Sequence, residues 1–225
     1  MRSTSKHKSS SEIMKLLTTT LLLVTTASAL GYFLWYKPKL VPSKNEKHSY
    51  NVANDNKTEE LLLTAKAATV KNYIAHNHFN QQYCFLVDMH MPSGKKRFFV
   101  YNLKKDSIEV TGLVAHGSGS DHGDSLIFSN VIGSGCTSIG KYKIGKPYNG
   151  RFGRSYKLYG LDSTNSNAYK RFVVLHPYWQ VPENEVAPSG ICTSLGCPMV
   201  SPSFLTQLEP YIDKANKPVL LWIFY

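Results

Sequence analysis

A chain of 225 residues, 42% of them hydrophobic, is long enough to bury the core of one globular domain of ordinary size with a tail to spare. The net charge of +11 is concentrated near the N-terminus, because residues 1–50 hold 8 basic and 2 acidic residues and leave +5 on the other 175. In that remainder the basic residues are scattered in sequence and match no recognised basic-aromatic motif, so we exclude nucleic-acid binding.

Residues 1–36 have the composition of a signal peptide or a membrane anchor. Four basic residues and one acidic residue lie in the first 15 positions, ahead of residues 16–36, an uncharged stretch of 21 residues. A helix of ~20 residues spans a bilayer, and the basic flank predicts a cytoplasmic N-terminus. Ala27-Ser28-Ala29 equally fits the small-x-small rule for signal-peptide cleavage. Either alternative predicts an exported body, in the periplasm or on the outer face of the cytoplasmic membrane, with membrane contact only through residues 16–36 if they are not cleaved.

Residues 37–57 predict a linker, since they are polar, contain two prolines and lack apolar periodicity. The domain is expected to occupy residues 58–225. It opens with a helix over Glu59 to Phe79, where apolar residues recur at helical spacing and Thr58 is a candidate cap.

The rest of the domain predicts strands. Short segments rich in β-branched and aromatic residues alternate with Gly, Pro, Asn and Asp turns, at residues 83–89, 97–101, 108–115, 137–144, 155–159, 172–175 and 219–224. One late amphipathic helix is expected over Pro202 to Asn216. The expected fold is therefore mainly β with a few helices, a mostly antiparallel β-sandwich or open barrel preceded by the N-terminal export or anchor helix.

One histidine and one cysteine stand out as a catalytic pair. His176 ends an apolar strand segment, and Cys197 follows 21 residues later in Ser194-Leu195-Gly196-Cys197-Pro198. A thiol reacts as the thiolate, so a nucleophilic cysteine needs a nearby imidazole to accept its proton. Gly196 would let the loop bend tightly and turn backbone N–H groups toward one point, where an oxyanion could form. The residues therefore predict an enzyme site with Cys197 as nucleophile and His176 as base.

Six sequence blocks in order resemble the murein L,D-transpeptidase catalytic-domain family of the YkuD type. The blocks are Val114-Ala-His116-Gly117-Ser118-Gly119-Ser120, Phe128-Ser129-Asn130, Ser138-Ile-Gly140-Lys-Tyr142, Gly160-Leu-Asp162-Ser-Thr-Asn165-Ser-Asn167-Ala, Val174-Leu-His176 and Ser194-Leu-Gly196-Cys197-Pro198. The resemblance implies an L,D-transpeptidase or L,D-carboxypeptidase that acts on peptidoglycan stem peptides in cell-wall remodelling. In that family the cysteine forms a thioester with the stem peptide and expels the terminal D-alanine, and an amine or water resolves the thioester.

The resemblance also implies which residues bind substrate. Backbone N–H groups near Leu195 to Cys197 would form the oxyanion hole, and six residues would contact or shape the substrate cleft: His116, Gly117, Ser118, Asn130, Ser194 and Leu195. Leu195 departs from the commoner signature, which has a second histidine directly before the Gly-Cys pair. Pro177, which follows the base, leaves only a backbone carbonyl to orient the imidazole.

Two other classes of function remain open. His116, Asp121, His122 and Asp124 are potential metal ligands, which would suggest a metal-dependent wall amidase or carboxypeptidase. A catalytically silent wall-binding domain is the third possibility. The leading hypothesis needs no cofactor or metal, because the thiol provides the chemistry, and it predicts a monomer.

The other three cysteines allow at most one disulfide if Cys197 stays a free thiol. Cys136 with Cys192 is the favoured pair, since both are predicted in loops near the site. Unpaired buried thiols are the alternative.

Overall fold

The computed structural model describes residues 10–31, 52–123 and 125–225, and the chain divides into two units, Met1–Asn51 and Val52–Tyr225. The described part of the first unit is one helix, α1 (Ser10–Gly31). The predicted leader residues 1–9 and 32–36 and linker residues 37–51 lie outside the described residues. In the described ranges, no helix combines the length and the apolar character that crossing a membrane requires.

The second unit opens with α2 (Val52–Ala75), which begins ahead of the predicted cap at Thr58 and ends before Phe79. The side-chain amide of Asn77 donates to the Tyr73 carbonyl at 2.8 Å and so satisfies one of the last helical carbonyls. One face of α2 is apolar and fully buried against the sheet, through Leu63, Ala67, Val70 and Ile74.

Ten strands follow in the described part of this unit, and eight of them form one sheet. Their bounds are β1 (Tyr83–Asp88), β2 (Phe98–Asn102), β3 (Ser107–Gly112), β4 (Asp121–His122), β5 (Ser125–Leu126), β6 (Gly140–Gly150), β7 (Gly153–Gly160), β8 (Val174–Pro177), β9 (Met199–Val200) and β10 (Leu220–Phe224). The sheet order is β3-β2-β1-β10-β6-β7-β8-β9, and β4 pairs with β5 in a separate ribbon. The pairs β1–β10 and β8–β9 are parallel, and the others are antiparallel. The prediction of a mainly β fold with a few helices is confirmed.

Strand alternation places apolar residues on both faces of the sheet. In β1, Phe85 and Val87 enter the main core, whereas Cys84 and Leu86 face α2. The main core is covered by α3 (Pro202–Asp213), which begins with the side chain of Ser201 accepting from the Phe204 N–H. Helix α3 ends three residues before the predicted Asn216.

The two edges of the sheet meet beyond the end of β3. The Ala115 N–H donates to the Met199 carbonyl at 2.8 Å, which joins the chain after β3 to β9 at the far edge of the sheet. The sheet therefore curls into an open barrel around its core. This contact also brings residues 115–118 beside the loop that precedes β9.

Candidate active site

Parallel pairing of β8 with β9 brings the predicted base and nucleophile together. His176 is in register with Met199, and its N–H donates to the Pro198 carbonyl at 3.4 Å. Cys197 directly precedes Pro198, so two residues 21 positions apart in sequence lie on adjacent segments of backbone. The spacing that singled them out in the sequence is the length of the connection between two neighbouring strands.

The imidazole of His176 is buried, and one of its nitrogens is already engaged. Nδ1 lies 3.0 Å from the Pro177 carbonyl oxygen. A carbonyl only accepts, so Nδ1 carries the proton and Nε2 keeps its lone pair. The ring stacks on Phe152, with centroids 4.6 Å apart and planes 19° apart. Burial lowers the pKa of His176, and the hydrogen bond to Pro177 opposes this only in part. At neutral pH the imidazole is therefore uncharged and able to accept a proton.

The thiol of Cys197 contacts backbone atoms of the segment that leads into β8. Its sulfur accepts from the Val174 N–H at 3.5 Å and donates to the Phe172 carbonyl at 3.7 Å. Burial raises the pKa of the Cys197 thiol, whereas the hydrogen bond from Val174 and the positive charge of Arg171 lower it by less. A neutral thiol and a neutral imidazole therefore lie on adjacent segments of backbone.

Gly196 produces a bend in residues 194–198, as predicted, and we call this segment the nucleophile loop after the predicted role of Cys197. Its φ is +110°, in the region that favours glycine, and a Cβ there would lie 2.5 Å from the Cys136 carbonyl oxygen. The Gly196 N–H donates to the side chain of Ser194 at 3.0 Å, so this amide is used within the loop. In the described chain, the N–H groups of Leu195 and Cys197 have no acceptor, so these two remain available for an oxyanion.

Ser194 fixes the loop from within. Its buried hydroxyl donates to the Cys197 carbonyl at 2.6 Å, its N–H donates to the His116 carbonyl, and its own carbonyl accepts from the Ser118 N–H. These contacts join the nucleophile loop to residues 116–118. Gly117 lies so close to the next segment that a Cβ would be 2.1 Å from the Gly135 carbonyl oxygen. Ser194 and Gly117 thus position the loop, whereas Ser118 is exposed beside it.

The side chain of His116 belongs to a buried polar network. The Arg97 guanidinium, which is 1% exposed, donates to its Nδ1 at 2.8 Å, and its Nε2 donates to Asp121 at 2.6 Å. Burial and the nearby Arg97 charge lower the pKa of His116, against the effect of Asp121. Both ring nitrogens are therefore occupied, and the described residues include no cluster of three or more His, Cys, Asp or Glu suited to a metal. Asp124, the fourth residue of the metal hypothesis, lies outside the described residues.

Asn130 and Leu195 differ sharply in their surroundings. The Asn130 side chain donates to Ser163 and Ser166 and accepts from the Asn167 N–H, so its amide atoms are used within the protein. It ties its own loop to the segment of residues 163–167. Leu195 is 84% exposed at the tip of the nucleophile loop, where it is free to contact a substrate.

Arg171 is the main site residue that sequence reasoning missed. Its guanidinium donates to the carbonyls of Ser129 and Cys136 and to the side chain of Ser138, and it lies 3.0 Å from the position of a Cβ on Gly196. These bonds anchor residues 129–138 to the segment that leads into β8. The same guanidinium places a positive charge near the Cys197 thiol. Its position at the start of the segment that ends at His176 was the available signal.

All four cysteines are free in the structure, so the favoured pairing of Cys136 with Cys192 is wrong. The Cys136 thiol donates to the Gly119 carbonyl at 3.0 Å instead. The structure therefore agrees with the alternative prediction, in which these thiols are unpaired.

Residues 54–223 match the family model described as the L,D-transpeptidase catalytic domain. Among curated protein sequences, none matches the chain. An L,D-transpeptidase from Xylanimonas cellulosilytica is similar in structure, with 9% identity, a TM-score of 0.37 and coverage of 66% of this chain and 62% of that one. An L,D-transpeptidase from Mycobacterium smegmatis is 11% identical, with a TM-score of 0.38 and coverage of 64% of this chain and 59% of that one. The helical cell shape determining protein Pgp2 from Campylobacter jejuni is 13% identical, with a TM-score of 0.39 and coverage of 65% of this chain and 49% of that one. The chain thus spans less than two thirds of the length of each.

Proposed function

The chain belongs to the L,D-transpeptidase catalytic domain family, and from this membership we propose that it carries out cysteine-dependent acyl transfer on peptidoglycan stem peptides. Cys197 is the nucleophile and His176 the general base. The product of the first half-reaction is a thioester on Cys197, which an amine or water then resolves. Transfer to an amine would make the protein an L,D-transpeptidase, and transfer to water an L,D-carboxypeptidase.

The proposed first half-reaction begins with attack of the Cys197 sulfur on the stem-peptide carbonyl. The thiol proton passes to Nε2 of His176, and the carbonyl oxygen becomes an oxyanion held by the free N–H groups of Leu195 and Cys197. When the tetrahedral intermediate collapses, the C–N bond breaks and the leaving amine takes the proton from the imidazolium. The enzyme is left as the thioester with a neutral imidazole, ready to activate the incoming amine or water in the same way.

The observation that carries this proposal is the state of His176. Its Nδ1 is held by the Pro177 carbonyl, and burial lowers its pKa, so Nε2 is an unprotonated acceptor at neutral pH. A neutral base beside a protonated thiol is what this reaction needs.

The test is incubation of the purified protein with soluble wall fragments, followed by mass spectrometry of the products and of the protein. We expect release of D-alanine. We also expect a protein adduct in which the mass added to the protein corresponds to the acyl fragment. Chelators should leave this turnover unchanged. Loss of activity to a chelator, with recovery on added zinc, would instead favour a metal-dependent wall amidase or carboxypeptidase. Absence of both product and adduct would favour a catalytically silent domain.

The proposal also requires export, because the wall lies outside the cytoplasmic membrane. The basic leader and the apolar stretch to Tyr36 support this location. A C-terminal reporter that works only after export should be active on the full chain. An active cytoplasmic reporter would contradict the proposed location.

A further inference from the structure

The hairpin of β6 and β7 carries an unusual charge pattern. Residues 140–160 contain six basic residues and no acidic residue. Lys141 pairs with Asp162 at 2.9 Å, and Arg154 pairs with Glu209 at 3.3 Å and with Asp213. Within the described chain, Lys143 and Lys157 have no carboxylate partner. Their charges are therefore available to an external anion.

Tyrosine rings separate these free lysines. Lys143 lies over the ring of Tyr159, with Nζ 4.9 Å from its centroid, and Tyr159 stacks on Tyr169 at 5.2 Å with planes 11° apart. Lys157 lies 5.6 Å from the ring of Tyr148 and 5.5 Å from that of Tyr169. We name this row the aromatic-basic strip, consisting of Lys143, Tyr148, Lys157, Tyr159 and Tyr169. Four members of the strip also line one surface groove, namely Lys143, Tyr148, Lys157 and Tyr159.

The strip lies on the same face of the sheet as the proposed base. Tyr156 and Leu175 are paired and both enter the core, so the adjacent pair Lys157 and Val174 faces the other side. His176 is two residues beyond Val174 and therefore shares the face of Lys157. The turn of the same hairpin brings Phe152 onto the His176 ring. A ligand held along the strip would thus lead to the catalytic pair.

We infer that the aromatic-basic strip binds a glycan strand that carries carboxylates. The flat faces of tyrosine rings pack against the apolar faces of sugar rings, and ammonium groups between them pair with anionic substituents. Rings and charges alternate along the strip. A polymer in which sugars and carboxylates alternate matches this pattern better than a uniformly charged surface does. The link between the strip and catalysis rests on the proposed function. Under that function, a strip that binds glycan would make the polymer, and not a free peptide, the preferred ligand.

The test measures binding alone, so that it does not depend on turnover. The full chain with Cys197→Ser is titrated with stem-free glycan strands whose sugars bear free carboxylates, with neutral chitin oligomers, with polyglutamate and with single-stranded DNA. We expect the carboxylated glycan to bind most tightly. The double variant Lys143→Gln, Lys157→Gln should weaken it about tenfold, since each exposed ion pair contributes up to ~1 kcal/mol. Tyr169→Ala should also weaken it, and Tyr169→Phe should retain most of the affinity.

Lys104→Gln is the matched control, because Lys104 is exposed between β2 and β3, away from the strip. It should leave the affinity unchanged. Equal binding of polyglutamate, tighter binding of DNA, or unaltered affinity in the strip variants would overturn the inference. Release of D-alanine from a short soluble stem peptide by the wild-type protein tests the proposed function separately, so the two failures can be told apart.

Discussion

Replacing His176 by alanine is expected to lower the rate of thiol acylation by about 100-fold to 10,000-fold at pH 7. Without a base, only the spontaneously ionised thiol can react. An ordinary thiol of pKa ~8.5 is about 3% thiolate at pH 7. Burial raises the pKa of Cys197, so the ionised fraction is smaller still. The loss corresponds to ~3–5 kcal/mol of activation free energy.

The pH dependence makes the prediction specific to His176. The wild-type kcat/KM should rise with pH through the lowered pKa of this imidazole, below its ordinary value of 6.5, and then stay level across neutral pH. In His176→Ala that acidic limb should disappear. The residual rate should instead climb about tenfold per pH unit, because thiolate concentration then limits the reaction.

The assay is the rate of adduct formation on Cys197, followed by intact-protein mass spectrometry from pH 5 to pH 9. His122→Ala is the matched control, since His122 is exposed on β4, and it should keep the wild-type profile. Circular dichroism establishes that the variants are folded. A His176→Ala protein with the wild-type rate and the wild-type acidic limb would refute the assignment of the base.

Four further outcomes are expected. Cys197→Ser should abolish D-alanine release while keeping the wild-type melting temperature, because a hydroxyl ionises far less readily than a thiol; a folded variant that still releases D-alanine would exclude the mechanism. Gly196→Ala should cost at least ~1–2 kcal/mol in chemical denaturation, because its φ of +110° strains any other residue, and should slow acylation; unchanged stability would contradict the described bend. Arg171→Met should shift the pH midpoint of Cys197 alkylation upward, because it removes a positive charge that lowers the thiol pKa; an unchanged midpoint would argue against that role. The free energy of unfolding should fall below about pH 6.5, because the folded state disfavours protonation of His116 and His176, both of which have lowered pKa values; a flat profile between pH 7 and pH 5 would contradict those shifts.

Local pattern was enough to predict most of the strands. The segments at β1, β2 and β10 alternate or run apolar over their full length, and their observed bounds differ from the predicted ones by one residue or fewer at each end. Strand β6 was harder to predict, because its second half carries two glycines, a lysine, a proline and an asparagine, yet it is held by pairing with β7. Tertiary pairing thus overrode a weak local preference.

Contacts between distant segments could not be predicted from local pattern. Closure of the sheet depends on the pairing of Ala115 with Met199, which are 84 positions apart in sequence, and on that of Gly117 with Ser194. The same limitation applies to polar networks. Arg97 and Arg171 look like ordinary surface residues in the sequence, but the barrel brings each beside a loop of the site. Only their long-range partners reveal these roles.

The departure at Leu195 gains a physical meaning from the surrounding structure. The commoner signature supplies a second histidine at this position, and this chain supplies an exposed leucine. His116 cannot substitute for it, because its two ring nitrogens are bound by Arg97 and Asp121. The nucleophile loop is instead held by the hydroxyl of Ser194, and the guanidinium of Arg171 lies beside Gly196. Under the proposed mechanism, proton transfer at this site would therefore depend on His176 alone.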